Sequence, residues 1–132
     1  MKVVLDSNIL VSAIEFGGKP DKILKHIISR KVVGYISEDI INEVLRILDR
    51  KFAYLPVRLV QIRNFLRAAF VVVIIGSIPR ASRDPKDDHI LAITNEQKID
   101  FIITGDKDLL VLRQYRNVPI ITVNDFLQKY ET

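Results

Sequence analysis

The chain has 132 residues, 48% of them apolar and 27% charged, enough to bury the core of one domain spanning residues 1–132. It has no cysteine and only two histidines, His26 and His89, which excludes disulfides, thiolate metal sites and cysteine nucleophiles and argues against a histidine-built zinc centre. The formal charge of +4 and a pI near 9.4 favour contact with a polyanion.

Taken in chain order, Met1-Lys2 leads straight into a strand over 2–5, which is not a signal-peptide pattern. Asn8 is the expected cap of a short helix through Ile9, Leu10, Val11, Ala13 and Ile14, stopped by Gly17-Gly18. Pro20 suits the first turn of the next helix, with Ile23, Leu24, Ile27 and Ile28 at helical spacing. A second strand covers 32–36. Ser37 then caps a helix whose apolar stripe is Ile40, Ile41, Val44, Leu45 and Leu48. Pro56 opens a further helix. The continuous apolar run 71–75 reads as a central parallel strand, and it is far too short to span a bilayer. A loop rich in turn formers and basic charge runs from Gly76 to Lys86. Asp87 or Asp88 opens the following helix. Strands over 101–104 and 120–122 complete the sheet, and Asn124 caps a last helix. Strands alternate with helices throughout, so the expected fold is α/β, with a parallel sheet of about four to five strands covered on both faces.

Four acidic positions stand where such a sheet collects them. Asp6 ends the first strand, and Asp106 follows the strand that ends at Thr104-Gly105. Glu43 lies in a helix, and Asp87-Asp88 start another. Ligands of parallel sheets bind beyond the carboxyl ends of the strands. Carboxylates gathered there repel one another, and a hard cation such as Mg²⁺ relieves the repulsion while keeping positions open for phosphate oxygens. Each residue also has a plainer reading. Asp6-Ser7-Asn8 serves equally as a turn and helix cap. Asp108 is a cap with a lesser metal role. Asp87 and Asp88 suit any helix start. Glu43 falls off the apolar stripe near Ile47, where a solvated position is as natural as a site. His89 reads as a capping or solvated residue and His26 as structural. Arg80, Arg83 and Lys86 precede the acid pair and are placed to hold backbone phosphates beside a metal site.

The ordered set resembles the PIN-domain nucleases. It comprises Asp6-Ser7-Asn8, Glu43 within 37–45, Asp84-Pro85-Lys86-Asp87-Asp88, Thr104-Gly105-Asp106-Lys107-Asp108 and the closing 119–122 with Asp125-Phe126-Leu127. Similarity is greatest to the small prokaryotic branch associated with toxin–antitoxin pairs. The lack of cysteine fits a reducing cytoplasm, and the resemblance implies a three-layer α/β/α sandwich and an acidic pocket that binds Mg²⁺ or Mn²⁺ and cuts single-stranded RNA. By position, Asp6, Glu43 and Asp106 fill three acidic roles, with Asp87 or Asp88 as the remaining one. Asp6, Asp87, Asp88 and Asp106 are the implied metal ligands. Ser7, Asn8, Thr104 and Asp108 are the groups that steady them. An antitoxin partner and a homodimer or higher homo-oligomer follow from the same resemblance.

Two enzyme rivals fit less well. A haloacid-dehalogenase-like phosphatase needs a second aspartate two residues after the first, where this chain has Asn8. A response-regulator receiver needs its acceptor aspartate after a middle strand, where Gly76-Ser77 stand. There is no Gly-rich phosphate loop with a following lysine, which disfavours an NTPase. An RNA-binding module of the same fold without activity is the non-enzyme alternative.

Overall fold

Val3, Val4 and Leu5 are almost wholly buried, as a strand covered on both faces requires. They belong to β1 (Lys2–Leu5), which pairs in parallel with β2 (Val33–Ile36) on one side and β4 (Phe101–Ile103) on the other. Beyond β2 lies β3 (Val71–Val72), and beyond β4 lies β6 (Val118–Ile121), both parallel. A last strand, β5 (Gln114–Tyr115), runs antiparallel to β6. The order across the sheet is therefore β3-β2-β1-β4-β6-β5. This is a computed structural model describing residues 1–76 and 85–131, the side chains of 85–87 excepted.

The first three strands step outward from β1 in one direction, and β4 and β6 step in the other. The order reverses between β1 and β4, which makes that pair of strand ends the expected position of a ligand crevice. The connections are helical: α1 (Ser7–Glu15), α2 (Gly18–Ile28), α3 (Glu38–Phe52), α4 (Pro56–Ala69), α5 (Pro85–Glu96), α6 (Lys107–Leu110) and α7 (Val123–Glu131). The mostly parallel sheet and these helices form an α/β sandwich. All five stripe residues of α3 are buried, and Ser37 Oγ accepts from the Ile40 N–H at 3.3 Å, satisfying one of the free donors of the first turn.

Several local expectations are corrected. Residues 71–75 do not form a central strand. Only Val71–Val72 pair, at the sheet edge. Phe70 and Val73 are buried while Val71 and Ile74 are exposed, so the run is apolar because it packs one face on the core, not because two strands flank it. The first helix is capped by Asp6, whose side chain accepts from Ile9, and not by Asn8. Asp106, not Asp108, caps α6. Thr122 Oγ1 accepts from the Asp125 N–H at 3.1 Å, and Asp125 answers the Thr122 N–H at 3.5 Å, so a reciprocal capping pair starts α7 instead of Asn124. Helix α5 already begins at Pro85, two to three residues before the expected Asp87 or Asp88. The sheet has six strands, not four or five, because Arg116 and Asn117 both take positive φ (51° and 66°) and turn β5 into β6. Such a two-residue hairpin turn favours that conformation.

Gly34 in β2 is the tightest backbone position. A Cβ there would stand 2.6 Å from the Phe70 ring and 2.9 Å from Ile27 Cδ1. Both neighbours are buried and have little room to move. Gly34→Ala is expected to destabilise the fold by about 1–3 kcal/mol through overpacking. Gly105→Ala, whose Cβ would meet nothing within 4 Å, serves as the near-neutral control. Urea denaturation of the two variants against the parent checks this, and equal midpoints for all three would refute it.

Candidate active site

The register of β1 on β4 builds the centre of the site. Leu5 lies opposite Ile103, and the Asp6 N–H donates to the Ile103 carbonyl at 3.2 Å. The next residues out, Asp6 and Thr104, therefore leave adjacent strand ends side by side. Both are buried. Asp6 Oδ1 accepts from the Ile9 N–H at 2.8 Å, and Oδ2 accepts from the hydroxyl of Thr104. The same Thr104 hydroxyl accepts from the Asp106 N–H at 3.0 Å. Asp106 is half-buried, and its Oδ1 accepts from the Asp108 N–H at 2.7 Å. One threonine thus ties the Asp6 carboxylate to the backbone of Asp106 at the point where the strand order reverses.

Burial pushes the Asp6 carboxyl above its usual pKa. The hydrogen bonds from Thr104 and Ile9 work against the rise, and the nearby charge of Asp106 adds to it. The hydrogen bonds do not fully offset the removal of this carboxylate from water.

Asp6 and Asp106 open onto a cleft of about 290 Å³. Ser7 and Asn8 line it from the start of α1, Ile90 from α5, and Glu43, Arg46, Ile47, Arg50 and Lys51 from α3. Glu43, half-buried, thus faces the same space as Asp6 and Asp106. Helical geometry explains the set on α3: residues three, four and seven positions after Glu43 share its face. The arginines and Lys51 were not foreseen. Their signal was available in the spacing from Glu43, but it acquires meaning only once Glu43 is known to face the cleft.

The other expected residues distribute unevenly. Asp88 is buried in the first turn of α5 and does not contribute to the cleft wall. The backbone of Lys86 and Asp87 belongs to α5, while their side chains lie outside the described residues, as do Arg80 and Arg83 altogether. Asp108 is exposed and supplies its N–H, not its carboxylate, to Asp106. His89 Nδ1 lies 3.3 Å from Asp39 Oδ2, tying α5 to α3. His26 contacts Glu131 at 3.3 Å and packs on the Tyr130 ring, a structural position outside the cleft lining.

The donor set consists of carboxylate oxygens, with neither thiolate nor imidazole in the cleft lining, and such a set suits a hard cation. Among the described residues no three acidic or histidine side chains stand close enough to enclose a metal by themselves. Mg²⁺ does not require that, since it is typically held by one or two carboxylates, water and substrate phosphate. A buried carboxylate disfavoured in its charged form beside a second one is the environment that a divalent cation relieves.

A family model described as PIN domain matches residues 2–108, and the chain belongs to that family. PIN domains are generally nucleases that use divalent metal ions and act on RNA. The chain is also 31% identical over 144 aligned residues to an uncharacterized protein of Methanocaldococcus jannaschii, with 99% of this chain and 92% of that protein covered. Residues beyond the matched segment include β6, which pairs with β4. Among the described residues no helix is long and apolar enough to cross a membrane.

Proposed function

We propose that the chain is a single-domain, cytoplasmic endoribonuclease that hydrolyses single-stranded RNA with Mg²⁺ or Mn²⁺. The observation that carries this reading is the cleft at the strand reversal, where Asp6 and Asp106, joined through Thr104, face Glu43. Asp6 and Asp106 are the residues that would hold the cation, with Asp87 or Asp88 as the further acid of the family order. The cation, when bound, lowers the pKa of water and neutralises charge on the phosphate. The chain's own groups do the rest. Thr104 holds the Asp6 carboxylate and the Asp106 backbone in one orientation. Glu43 offers a carboxylate to accept the proton of the attacking water as the new P–O bond forms and the bond to the leaving oxygen breaks. Ser7 and Asn8 line the entrance as hydrogen-bonding groups toward phosphate. No side-chain nucleophile is needed, in keeping with the absence of cysteine.

The direct test is incubation of end-labelled single-stranded RNA with the protein and Mg²⁺ or Mn²⁺, with a chelator as control. Internal cuts that stop on chelation support the reading, and chelator-resistant cleavage or none at all rejects it. Binding can be read independently of turnover. At a cation concentration a hundredfold above Kd, linkage adds about 2.7 kcal/mol of stability, which raises Tm by roughly 10 °C for a chain of this size. A Tm that ignores Mg²⁺ and Mn²⁺ alike would remove the cation from the proposal. We further assign the chain to the toxin side of a toxin–antitoxin pair, acting as a homo-oligomer restrained by an antitoxin protein, on its residue pattern. Growth arrest on expression, reversed by the product of a neighbouring reading frame, is the expected outcome.

A further inference from the structure

We infer that Arg46 and Arg50 of α3, extended by Lys51, form a phosphate track along which the RNA backbone runs from the carboxylates into the groove between α3 and α4. The inference rests on the ribonuclease reading for the identity of the anion. Its geometry is independent of it. Arg46, Arg50 and Lys51 line the same cleft as Asp6, Glu43 and Asp106. Arg46 and Arg50 also line a second hollow of about 390 Å³ between α3 and α4, with Leu45, Leu59 and Arg63. The two spaces share these two arginines, so a strand leaving the cleft for the groove would pass both of them. Arg50 stands seven residues, about 10 Å, beyond Glu43 along the helix.

The state of the cations separates this track from an ordinary solvated face. Arg63 donates to Asn42 Oδ1 at 3.1 Å and lies 3.8 Å from Glu38. Arg67 is also paired with Glu38. Those charges are partly neutralised within the fold. Arg46, Arg50 and Lys51 are exposed and form no ion pair among the described residues. Two like charges one helical turn apart repel each other, and an anion bridging them relieves that repulsion. Among the described residues the only acid of the groove wall is Asp49, itself exposed. A chain of phosphates, each carrying one negative charge, matches a row of unpaired cations that leads to a metal-binding carboxylate pair. Contacts of this kind set the register of the strand over the site and read no sequence.

The test uses a fluorescent single-stranded oligouridine, titrated by anisotropy at several NaCl concentrations in the presence of a chelator, so that no turnover occurs. The parent, Arg46→Gln/Arg50→Gln and Arg67→Gln are compared, with circular dichroism to confirm that each is folded. Loss of two phosphate contacts should reduce the slope of log K against log salt by about 1.4 and weaken binding at low salt at least about tenfold. An oligoadenosine should lose equally. Arg67→Gln, which removes a cation already paired with Glu38 and outside both linings, should keep the parental slope. Equal slopes and affinities for the parent and Arg46→Gln/Arg50→Gln overturn the inference and leave this face to a protein partner. Absence of RNA binding by the parent overturns it as well. Cleavage in Mg²⁺ is scored separately: a chain that binds with the predicted slope and never cuts rejects the nuclease reading and keeps the track. Undiminished cutting by Arg46→Gln/Arg50→Gln at low RNA concentration rejects the track and keeps the nuclease.

Discussion

Asp6→Asn is expected to lower RNA cleavage at least about a hundredfold, the upper range of what disturbing even the supporting groups of a metal site costs. The substitution keeps the shape of the side chain. The amide oxygen can still accept from the Ile9 N–H that Asp6 Oδ1 receives at 2.8 Å, so α1 keeps its cap. What disappears is the negative charge that attracts the cation. The fold should not suffer. Burial raises the pKa of Asp6 above its usual 3.8. The stability contributed by a group of raised pKa is fully present below the unfolded value and is lost as pH rises through the native one. Above the raised native pKa the ionised carboxylate is therefore a burden on the metal-free protein, and asparagine removes it. The expected pair of results is a Tm in chelator equal to or above that of the parent, and no further rise on adding Mg²⁺ or Mn²⁺. Parental cleavage by Asp6→Asn at saturating metal would take Asp6 out of the site. A lower Tm in chelator would show that its hydrogen bonds outweigh its burial.

Thr104→Val should reduce cleavage by about 10–100-fold, the loss typical when a group that orients a metal ligand is removed. The valine fills the same fully buried volume but carries no hydroxyl. Asp6 Oδ2 then loses its donor, and the Asp106 N–H loses the acceptor it meets at 3.0 Å. Each buried polar group left without a partner costs about 1–3 kcal/mol, so stability falls too. Thr104→Ser restores the hydroxyl and should recover most of the rate, whereas a purely steric role for Thr104 predicts that valine is the better substitute. Comparing the rates of the two variants, with Tm measured for each, decides between these roles.

Much of the fold is legible in the sequence because its signals are local. The stripe of α3, the cap at Ser37, the proline at the start of α4 and the buried run of β1 each follow from a few adjacent residues. The misreading of 71–75 has a non-local cause. A run such as 71–75 is equally apolar at the centre or the edge of a sheet, and only the neighbours that pair with it decide which. In the sequence, Asp6 and Asp106 read equally as site residues or turn signals. Asp6 and Asp106 act as helix caps and also line the cleft, since a carboxylate has lone pairs for both.

The sequence by itself determined the alternation of parallel strands with helices, the acidic residues at Asp6 and Asp106, and the family to which they point. Periodicity and strand-end chemistry are written along the chain. Only the tertiary structure decided that Glu43 faces those acids and that Thr104 binds two of them together. It alone decided that Arg46 and Arg50 stand beside them without an ion pair among the described residues, while Arg63 and Arg67 face Glu38. The physical reason is distance in sequence: Asp6 and Thr104 are 98 residues apart, and no local pattern encodes a hydrogen bond made possible by the register of β1 on β4.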